Sequence, residues 1–124
     1  MDIAEVKEML QLYFDMCFEA SEEKLVKVLH PAAHVYVQNE DGSLNDMDRD
    51  AFAQRVRTRR LETPPVSYPR QDEIISIDFI GENAAVARVK LRIKNMLYTD
   101  ILSLIRADGK WVVISKLFAG ETVN

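Results

Sequence analysis

The second half of the chain carries the pattern that most restricts its fold. Stretches rich in β-branched and apolar residues follow one another there, and only short turns separate them. Such a pattern predicts an antiparallel meander, with Asp108-Gly109 as its strongest hairpin signal. The predicted strands are 73–80, 84–94, 97–106 and 110–118, and the predicted turns are 81–83, 95–96 and 108–109. Because no alternating βαβ units are present, a parallel nucleotide-binding sheet is excluded.

The first half of the chain has the periodicity of helices. Apolar residues recur at three- and four-residue spacing over about the first twenty residues, which predicts an amphipathic helix. Ser21 and Asp48 have the chemistry of helix N-caps. They predict a short second helix ended by Pro31 and a third helix reaching about Arg60. Between these helices His34–Gln38 alternates as a strand, and the proline-containing stretch 61–71 is predicted to be a loop.

This order of elements predicts an α+β fold in which three N-terminal helices pack on a curved antiparallel sheet. The length of 124 residues fits one domain, 1–124. Sixteen basic against twenty acidic residues give a net charge of -4, which argues against nucleic acid as a partner. Cys17 is the only cysteine, so an internal disulfide and a thiolate metal cluster are excluded. No signal peptide or membrane-spanning stretch is evident, and a cytoplasmic protein is expected.

Strand register assigns each side chain to one face of the sheet, because successive residues of a strand alternate. Counting back from two-residue turns at 95–96 and 108–109 predicts which residues face the helices. That inner face collects Ile75, Ile77, Phe79, Ala85, Ala87, Val89, Leu91, Ile93, Tyr98, Asp100, Leu102, Leu104, Trp111, Val113, Ser115 and Leu117.

The opposite, outer face combines a basic stripe with apolar residues. The stripe is Arg88, Lys90, Arg92 and Lys94, with Lys116 expected near its rim. A large exposed apolar patch is typical of an interface, so we expect a homodimer through this face. The alternative is that sheet twist spreads the apolar residues apart. The residues predicted to make the dimer are Ile101, Ile105, Val112, Ile114 and Phe118.

Asp100 is the one acidic residue of the predicted inner face. A carboxylate among apolar neighbours is costly unless it is hydrogen-bonded, paired or protonated. Such carboxylates are candidates for functional sites, although a purely structural role as an anchor for a Tyr hydroxyl is an equal alternative. Tyr13 lies on the apolar stripe of the first helix, and it is the plausible partner of Asp100 if that helix crosses the strand.

In order and spacing, several blocks of the chain resemble the nuclear transport factor 2-like superfamily, and within it the family labelled "putative lumazine-binding". The resemblance implies a cone-shaped fold, a pocket between helices and sheet, and a dimer. It suggests a flat heteroaromatic ring as ligand. Independently of the resemblance, no cofactor is expected. The blocks that carry it are Tyr13-Phe14, Leu29–Ala33, Asp41-Gly42, Ile77-Asp78, Ala84–Val89, Tyr98–Leu104, Asp108–Trp111 and Lys116–Phe118.

The superfamily contains isomerases, dehydratases, polyketide cyclases and proteins without catalysis, so the fold alone does not give the function. Ketosteroid isomerases of this superfamily use a helix-one Tyr and a protonated sheet Asp as an oxyanion hole, and Tyr13 with Asp100 is similar in outline. The segment where those enzymes place a general base, residues 34–38, lacks Asp and Glu. His34 would have to act as the base in such a mechanism.

The candidate catalytic residues are therefore Asp100 and His34, and no metal site is predicted. With His30 and His34 as the only histidines, a third ligand of suitable geometry is missing. Arginines near the end of the third helix suit solvent and the helix dipole, with an anion gate at the pocket mouth as a minor hypothesis. The predicted ligand contacts are Tyr13, Tyr36, Tyr98, Trp111 and Ser115.

Three functions remain open from the sequence. The first is a small-molecule-binding domain without catalysis. The second is an acid–base lyase, isomerase or cyclase acting on a small hydrophobic substrate, in which Asp100 and His34 exchange a proton with that substrate. The third is an interaction module that uses the outer face of the sheet. Aromatic residues of the inner face are as compatible with ordinary core packing as with ligand stacking.

Overall fold

The computed structural model describes residues 3–62 and 67–123 as three helices and six strands. Pro64 and Pro65 of the predicted loop lie outside the described residues. The helices are α1 (Ile3–Glu19), α2 (Glu22–Val28) and α3 (Arg49–Glu62). The strands are β1 (Leu29–Gln38), β2 (Leu44–Asp48), β3 (Asp72–Ile80), β4 (Ala84–Ile93), β5 (Met96–Ala107) and β6 (Lys110–Thr122).

The strands form one sheet in the order β2-β1-β6-β5-β4-β3. The predicted α+β class, with three helices packed on a curved sheet, is confirmed. The prediction of a purely antiparallel sheet is wrong in one place, because β1 pairs with β6 in parallel. This pairing joins the first strand in sequence to the last, and β2 and β3 form the two edges of the sheet. Strand β2, which no pattern predicted, extends the sheet beyond β1.

Both predicted N-caps are confirmed. The Ser21 hydroxyl accepts a hydrogen bond from the Lys24 backbone N–H, and the Asp48 carboxylate accepts one of 2.8 Å from the Ala51 N–H. Each satisfies a donor at a helix start that has no partner within the helix. The α3 cap fixes the point where the chain leaves β2, and so it places the face of α3 that carries Phe52 and Val56 against the core.

The β4–β5 hairpin turns one residue earlier than predicted. Its turn is Lys94-Asn95, so that Ile93 pairs with Met96 and Val89 pairs with Asp100. A turn displaced by one residue changes the pairing by two, and two is the period of a strand. The predicted faces of both strands are therefore correct even though the predicted partners are not.

The β5–β6 pair contains a bulge that the sequence did not reveal. Leu104 pairs with Val113, whereas the next residue, Ser103, pairs with Ser115. Ile114 is thus an extra residue, and beyond it every side chain of β6 points to the face opposite to that predicted. The predictions for Ser115 and Leu117 as inner residues are wrong, since they lie on the outer side.

The same bulge turns two residues inward that were expected outside. Lys116 pairs with Leu102 and Phe118 pairs with Asp100, both partners being buried residues of the inner face. Phe118 is 8% exposed and Lys116 is 6% exposed, whereas Leu117 between them is 53% exposed. Phe118 is therefore removed from the predicted dimer face. Because of this change of face, the charged side chain of Lys116 lies in the interior.

A second bulge lies on β3, between Ile74 and Ser76. Ile74 pairs with the inner residue Val89 and Ile77 pairs with the inner residue Ala87, so the extra residue is Ile75. The prediction that Ile75 faces the core is wrong, because 43% of its surface is exposed. The predicted inner positions of Ile77 and Phe79 are confirmed by their packing against the core.

The core lies between the inner face of the sheet and the three helices. From α1 it receives a stripe of residues spaced by three and four, which confirms the predicted amphipathic helix. This packing sets α1 across the middle of the sheet. The fully buried residues of the core include Val6, Leu10, Tyr13, Met16, Leu25, Val35, Val89, Leu102 and Val113.

Candidate functional site

A cavity of about 90 Å³ opens between α1, α3 and strands β4 to β6. It contains both charged residues that the sheet places on its inner face near this end, Asp100 and Lys116. The helices contribute Met16, Cys17, Phe52, Arg55, Val56 and Arg59. The strands contribute Leu91, Ile93, Tyr98, Asp100, Lys116 and Phe118.

Asp100 is hydrogen-bonded to Tyr13, the partner that the sequence suggested. The Tyr13 hydroxyl donates a hydrogen bond of 2.5 Å to Asp100 Oδ2. Burial, and after it the negative charge of Asp100, raises the pKa of Tyr13 well above its ordinary value. The phenol therefore stays protonated and acts only as a donor to the carboxylate. The second oxygen, Asp100 Oδ1, is buried and has no hydrogen-bond partner among the described residues.

Lys116 supplies the positive charge of the interior. Its Nζ lies 3.8 Å from Asp100 Oδ2, which is an ion-pair distance but too long for a hydrogen bond. The ammonium also lies 4.7–5.1 Å from the ring centroids of Tyr13, Phe52 and Phe118. Aromatic faces attract a cation at this range, and such attraction strengthens where water is excluded. Rings and carboxylate together explain how a lysine side chain tolerates burial at this depth.

The cavity becomes more exposed away from this pair. Asp100 is 1% exposed at the inner end, whereas Arg55 is exposed and Arg59 and Tyr98 are half-buried at the mouth. The Arg55 guanidinium lies 5.2 Å from the Phe118 ring centroid, and Arg59 Nη2 donates to the Cys17 carbonyl. Among the residues that the structure describes, the charged lining therefore consists of three cations and one carboxylate.

Tyr98 lies at the mouth because the neighbouring strand carries a glycine opposite it. Tyr98 pairs with Gly120, and a Cβ on that glycine would lie only 2.7 Å from the Tyr98 ring. The ring can thus lie across β6, where it meets Phe118 edge-on with centroids 5.6 Å apart. Tyr98, one of the predicted ligand contacts, thus lines the cavity.

Cys17 also lines the cavity, which the sequence did not predict. Burial raises the pKa of its thiol, against the opposing charge of Lys116. The protonated form is a weak nucleophile, so the residue contributes shape rather than reactivity.

Three of the predicted site residues lie on the other side of the sheet. His34 pairs with Ser115, and Tyr36 pairs with Leu117, so all of them belong to the outer face. His34 Nδ1 lies 2.6 Å from Asp46 Oδ1, and its ring stacks on Tyr36. The structure therefore separates His34 from Asp100, and the predicted proton-exchanging pair is not assembled. Tyr36 and Ser115 likewise do not line the cavity.

Trp111 is buried at the far end of the inner face. It packs edge-on against Phe79 and contributes to an open groove beside α1 rather than to the Asp100 cavity. Its indole Nε1 has no hydrogen-bond partner in the described residues. The residue functions in the core, as the simpler interpretation of the sequence had it.

No group of three or more potential metal-binding side chains occurs in residues 3–62 and 67–123. Over the same residues every helix is too short or too polar to cross a membrane.

Comparisons with known proteins agree with this architecture. A family model described as "putative lumazine-binding" matches residues 1–119. No curated protein matches the chain. Among solved structures, a protein of unknown function from Methylobacillus flagellatus is 24% identical with a TM-score of 0.81, covering 98% of this chain and 93% of its own.

Two further structures show the same fold at lower identity. A protein of unknown function from Shewanella baltica is 21% identical with a TM-score of 0.83, covering 97% of this chain and 94% of its own. A ketosteroid isomerase-like protein from Erwinia carotovora atroseptica is 11% identical with a TM-score of 0.75, covering 98% of this chain and 97% of its own. The Methylobacillus and Shewanella proteins are described as nuclear transport factor 2-like, which confirms the predicted fold.

Proposed function

The chain belongs to the "putative lumazine-binding" family, as its sequence blocks predicted, and we propose that it binds a small planar organic molecule in the cavity that contains Asp100 and Lys116. The ligand's inner edge would meet this pair. The aromatic rings of Phe52, Tyr98 and Phe118 would provide walls for its faces.

The observation that carries this proposal is the unsatisfied Asp100 Oδ1. A buried oxygen without a partner costs about 1–3 kcal/mol or more for a charged group, so a site that retains one needs an explanation. A donor from a bound molecule would satisfy it. Lys116 beside it offers N–H donors, since its Nζ makes no hydrogen bond within the described residues and only an ion pair at 3.8 Å.

An acceptor and a donor side by side match a particular chemical group. The edge of a cyclic amide presents an N–H next to a carbonyl oxygen, and Asp100 with Lys116 presents the complementary pair. Flat nitrogen heterocycles such as pteridines carry this edge. The cavity opens at Arg55, so part of the ring would extend towards that exposed mouth.

Thermal unfolding tests the proposal directly. The protein is heated with each member of a panel of pteridines, flavins, steroids, aromatic polyketides and short hydroxy acids. We expect one class that has a cyclic-amide edge to raise the midpoint of thermal unfolding. A ligand at about a hundred times its dissociation constant adds about 2.7 kcal/mol, which is a shift of several degrees for a domain of this size.

Asp100→Asn is the matched control, because the amide retains the shape but replaces an acceptor by a donor at one position. The variant should lose the shift for the class that the wild type binds. A wild type that responds to no member of the panel would contradict the binding function, and an unchanged response of Asp100→Asn would contradict the site.

A catalytic function is the second candidate, and one contact favours it. Tyr13 donating to Asp100 in a cavity resembles the isomerase arrangement in outline. Because His34 lies on the outer face, proton transfer would have to use Asp100 with Lys116. Any ligand found by the panel can be incubated with wild type and Asp100→Asn to detect turnover.

We also propose that the protein forms a homodimer through the outer face of the sheet. With Phe118 turned inward, the exposed apolar residues of this face are Leu117 and Ile105, with the half-buried Ile101 and Ile114. Leu117 pairs directly with Ile101. Val112, predicted for this interface, is buried within the protomer. Exposed apolar side chains on one face of a sheet are typical of an association site.

Leu117→Glu should therefore give a folded monomer, because a carboxylate would be buried unpaired at the centre of the interface. Light scattering coupled to size exclusion measures the mass. Leu61→Glu, on an α3 residue that is 82% exposed, is the control and should leave a dimer. A wild type with the mass of one chain would end the dimer proposal.

A further inference from the structure

We propose that the ligand of this cavity is an anion, and that Arg55 and Arg59 bind its acidic group at the mouth while the ring edge meets Asp100 and Lys116 inside. This inference rests on the proposed binding function and adds the charge of the ligand to it.

The first argument is the charge of the lining. Lys116, Arg55 and Arg59 face the cavity against the single carboxylate of Asp100. The chain as a whole carries a net charge of -4, so this local excess of positive charge runs against the overall balance. Like charges gathered around a concave site raise the local concentration of a counter-ion and favour its binding.

The second argument is what each guanidinium already contacts. Arg57, on another side of α3, is paired with Glu22. Within the described residues, neither Arg55 nor Arg59 has an acidic partner. Arg55 lies over the Phe118 ring, and Arg59 donates to the Cys17 carbonyl. Each therefore keeps N–H groups for an external acceptor.

The third argument is geometry. Arg55 and Arg59 are four residues apart on one helix, which places them one above the other on the same face. The ring of Phe118 supports Arg55, and the Cys17 carbonyl positions Arg59, so contacts hold both guanidinium groups at the cavity mouth. A planar guanidinium presents paired N–H groups that match the two oxygens of a carboxylate.

The position of this subsite fits a ligand of two parts. The inner end of the cavity is nearly closed to solvent and offers one acceptor and one donor, which suits the uncharged edge of a ring. The mouth is partly exposed and cationic, so an ionised substituent there would keep part of its hydration while it is bound. An acidic group at the inner end would instead be repelled by Asp100.

Two matched pairs of probes test the charge of the ligand by titration calorimetry. One pair is lumazine and 6-carboxylumazine, and the other is benzamide and 4-carboxybenzamide; in both pairs the amide edge is kept and only the carboxylate is added. We expect the carboxylate of the better-binding pair to bind the wild type about tenfold more tightly than its neutral partner, since a hydrogen bond to a charged group contributes on the order of a tenfold effect. The advantage should shrink as salt is raised.

The double variant Arg55→Gln/Arg59→Gln should reduce the carboxylate's advantage to within about twofold and leave the affinity of the neutral probe unchanged. The control is Arg57→Gln/Arg60→Gln, which removes the same charge from the same helix at residues that do not line the cavity. This control should keep the advantage.

The outcomes separate the two proposals. Equal binding of the neutral and charged probes, or an equal loss in both double variants, would overturn the anion subsite and leave the binding function standing. Binding of none of the four probes would overturn both. Selective loss in the cavity-lining variant supports the subsite.

Discussion

Asp100→Ala should destabilise the protein by about 3–5 kcal/mol, because it leaves the buried Lys116 ammonium without its carboxylate. Asp100 Oδ2 lies 3.8 Å from Lys116 Nζ in the interior, and it also accepts a hydrogen bond from the Tyr13 hydroxyl. Both partners would remain buried with their polar groups unsatisfied. Urea unfolding monitored by circular dichroism measures the free energy, provided that the transition is two-state.

The matched variants separate the charge from the hydrogen bond. Asp100→Asn retains an acceptor for Tyr13 but loses the charge and replaces the second oxygen by an N–H donor. Tyr13→Phe keeps the charge, removes the hydroxyl donor, and should cost about 1–3 kcal/mol, because it leaves Asp100 Oδ2 without its hydrogen bond. The double variant Asp100→Ala/Lys116→Met should recover much of the loss, since no buried charge remains. A double variant as unstable as the sum of its single variants would show that the two residues do not interact.

Phe118→Ala should cost about 3–5 kcal/mol, whereas Leu117→Ala should cost less than about 0.5 kcal/mol in the monomeric protomer. Phe118 is buried against Tyr98 and Lys116, and its loss would leave a cavity. Leu117 is 53% exposed on the outer face. The loss of unfolding free energy should therefore be much larger for Phe118→Ala than for Leu117→Ala. The same urea experiment measures both losses.

The comparison tests the bulge at Ile114 itself. A regular β6 would give the reverse order, with Leu117 in the core and Phe118 outside, which is what simple alternation predicts from the sequence. Because Leu117 lies at the proposed dimer interface, both alanine variants should be compared with the wild type at a protein concentration where the wild type is monomeric. A larger cost at 117 than at 118 under those conditions would contradict the structure.

Much of the fold could be predicted because its elements carry local signals. The helix caps at Ser21 and Asp48 are short-range chemistry, and the Asp108-Gly109 turn fixes its hairpin without reference to the rest of the chain. Strand β2 could not be predicted in this way. Its sequence, Leu44–Asp48, is mostly polar, and it forms a strand because β1 offers an edge for pairing.

The candidate site was predictable only in part. Tyr13 and Asp100 could be paired because their faces follow from periodicity in α1 and from the parity of β5. Lys116 and Phe118 were missed because a bulge at Ile114 leaves no mark in the sequence, such as a glycine. The wrong placement of His34 has a different cause. It depends on the parallel pairing of β1 with β6, which joins residues far apart in the chain.

The extra residue in β6 has a consequence for how a fold of this kind could diversify. Were the bulge to lie beyond Phe118 instead of at Ile114, the same amino acids would present Ser115 and Leu117 to the interior, and the cavity would lose its buried lysine and an aromatic wall. Moving one insertion along the strand would thus take the partner of Asp100 out of the cavity with no substitution of any side chain. Alignments of such chains would need their gaps examined as closely as their residues, because the set of side chains that lines the cavity depends on where a strand carries its bulge.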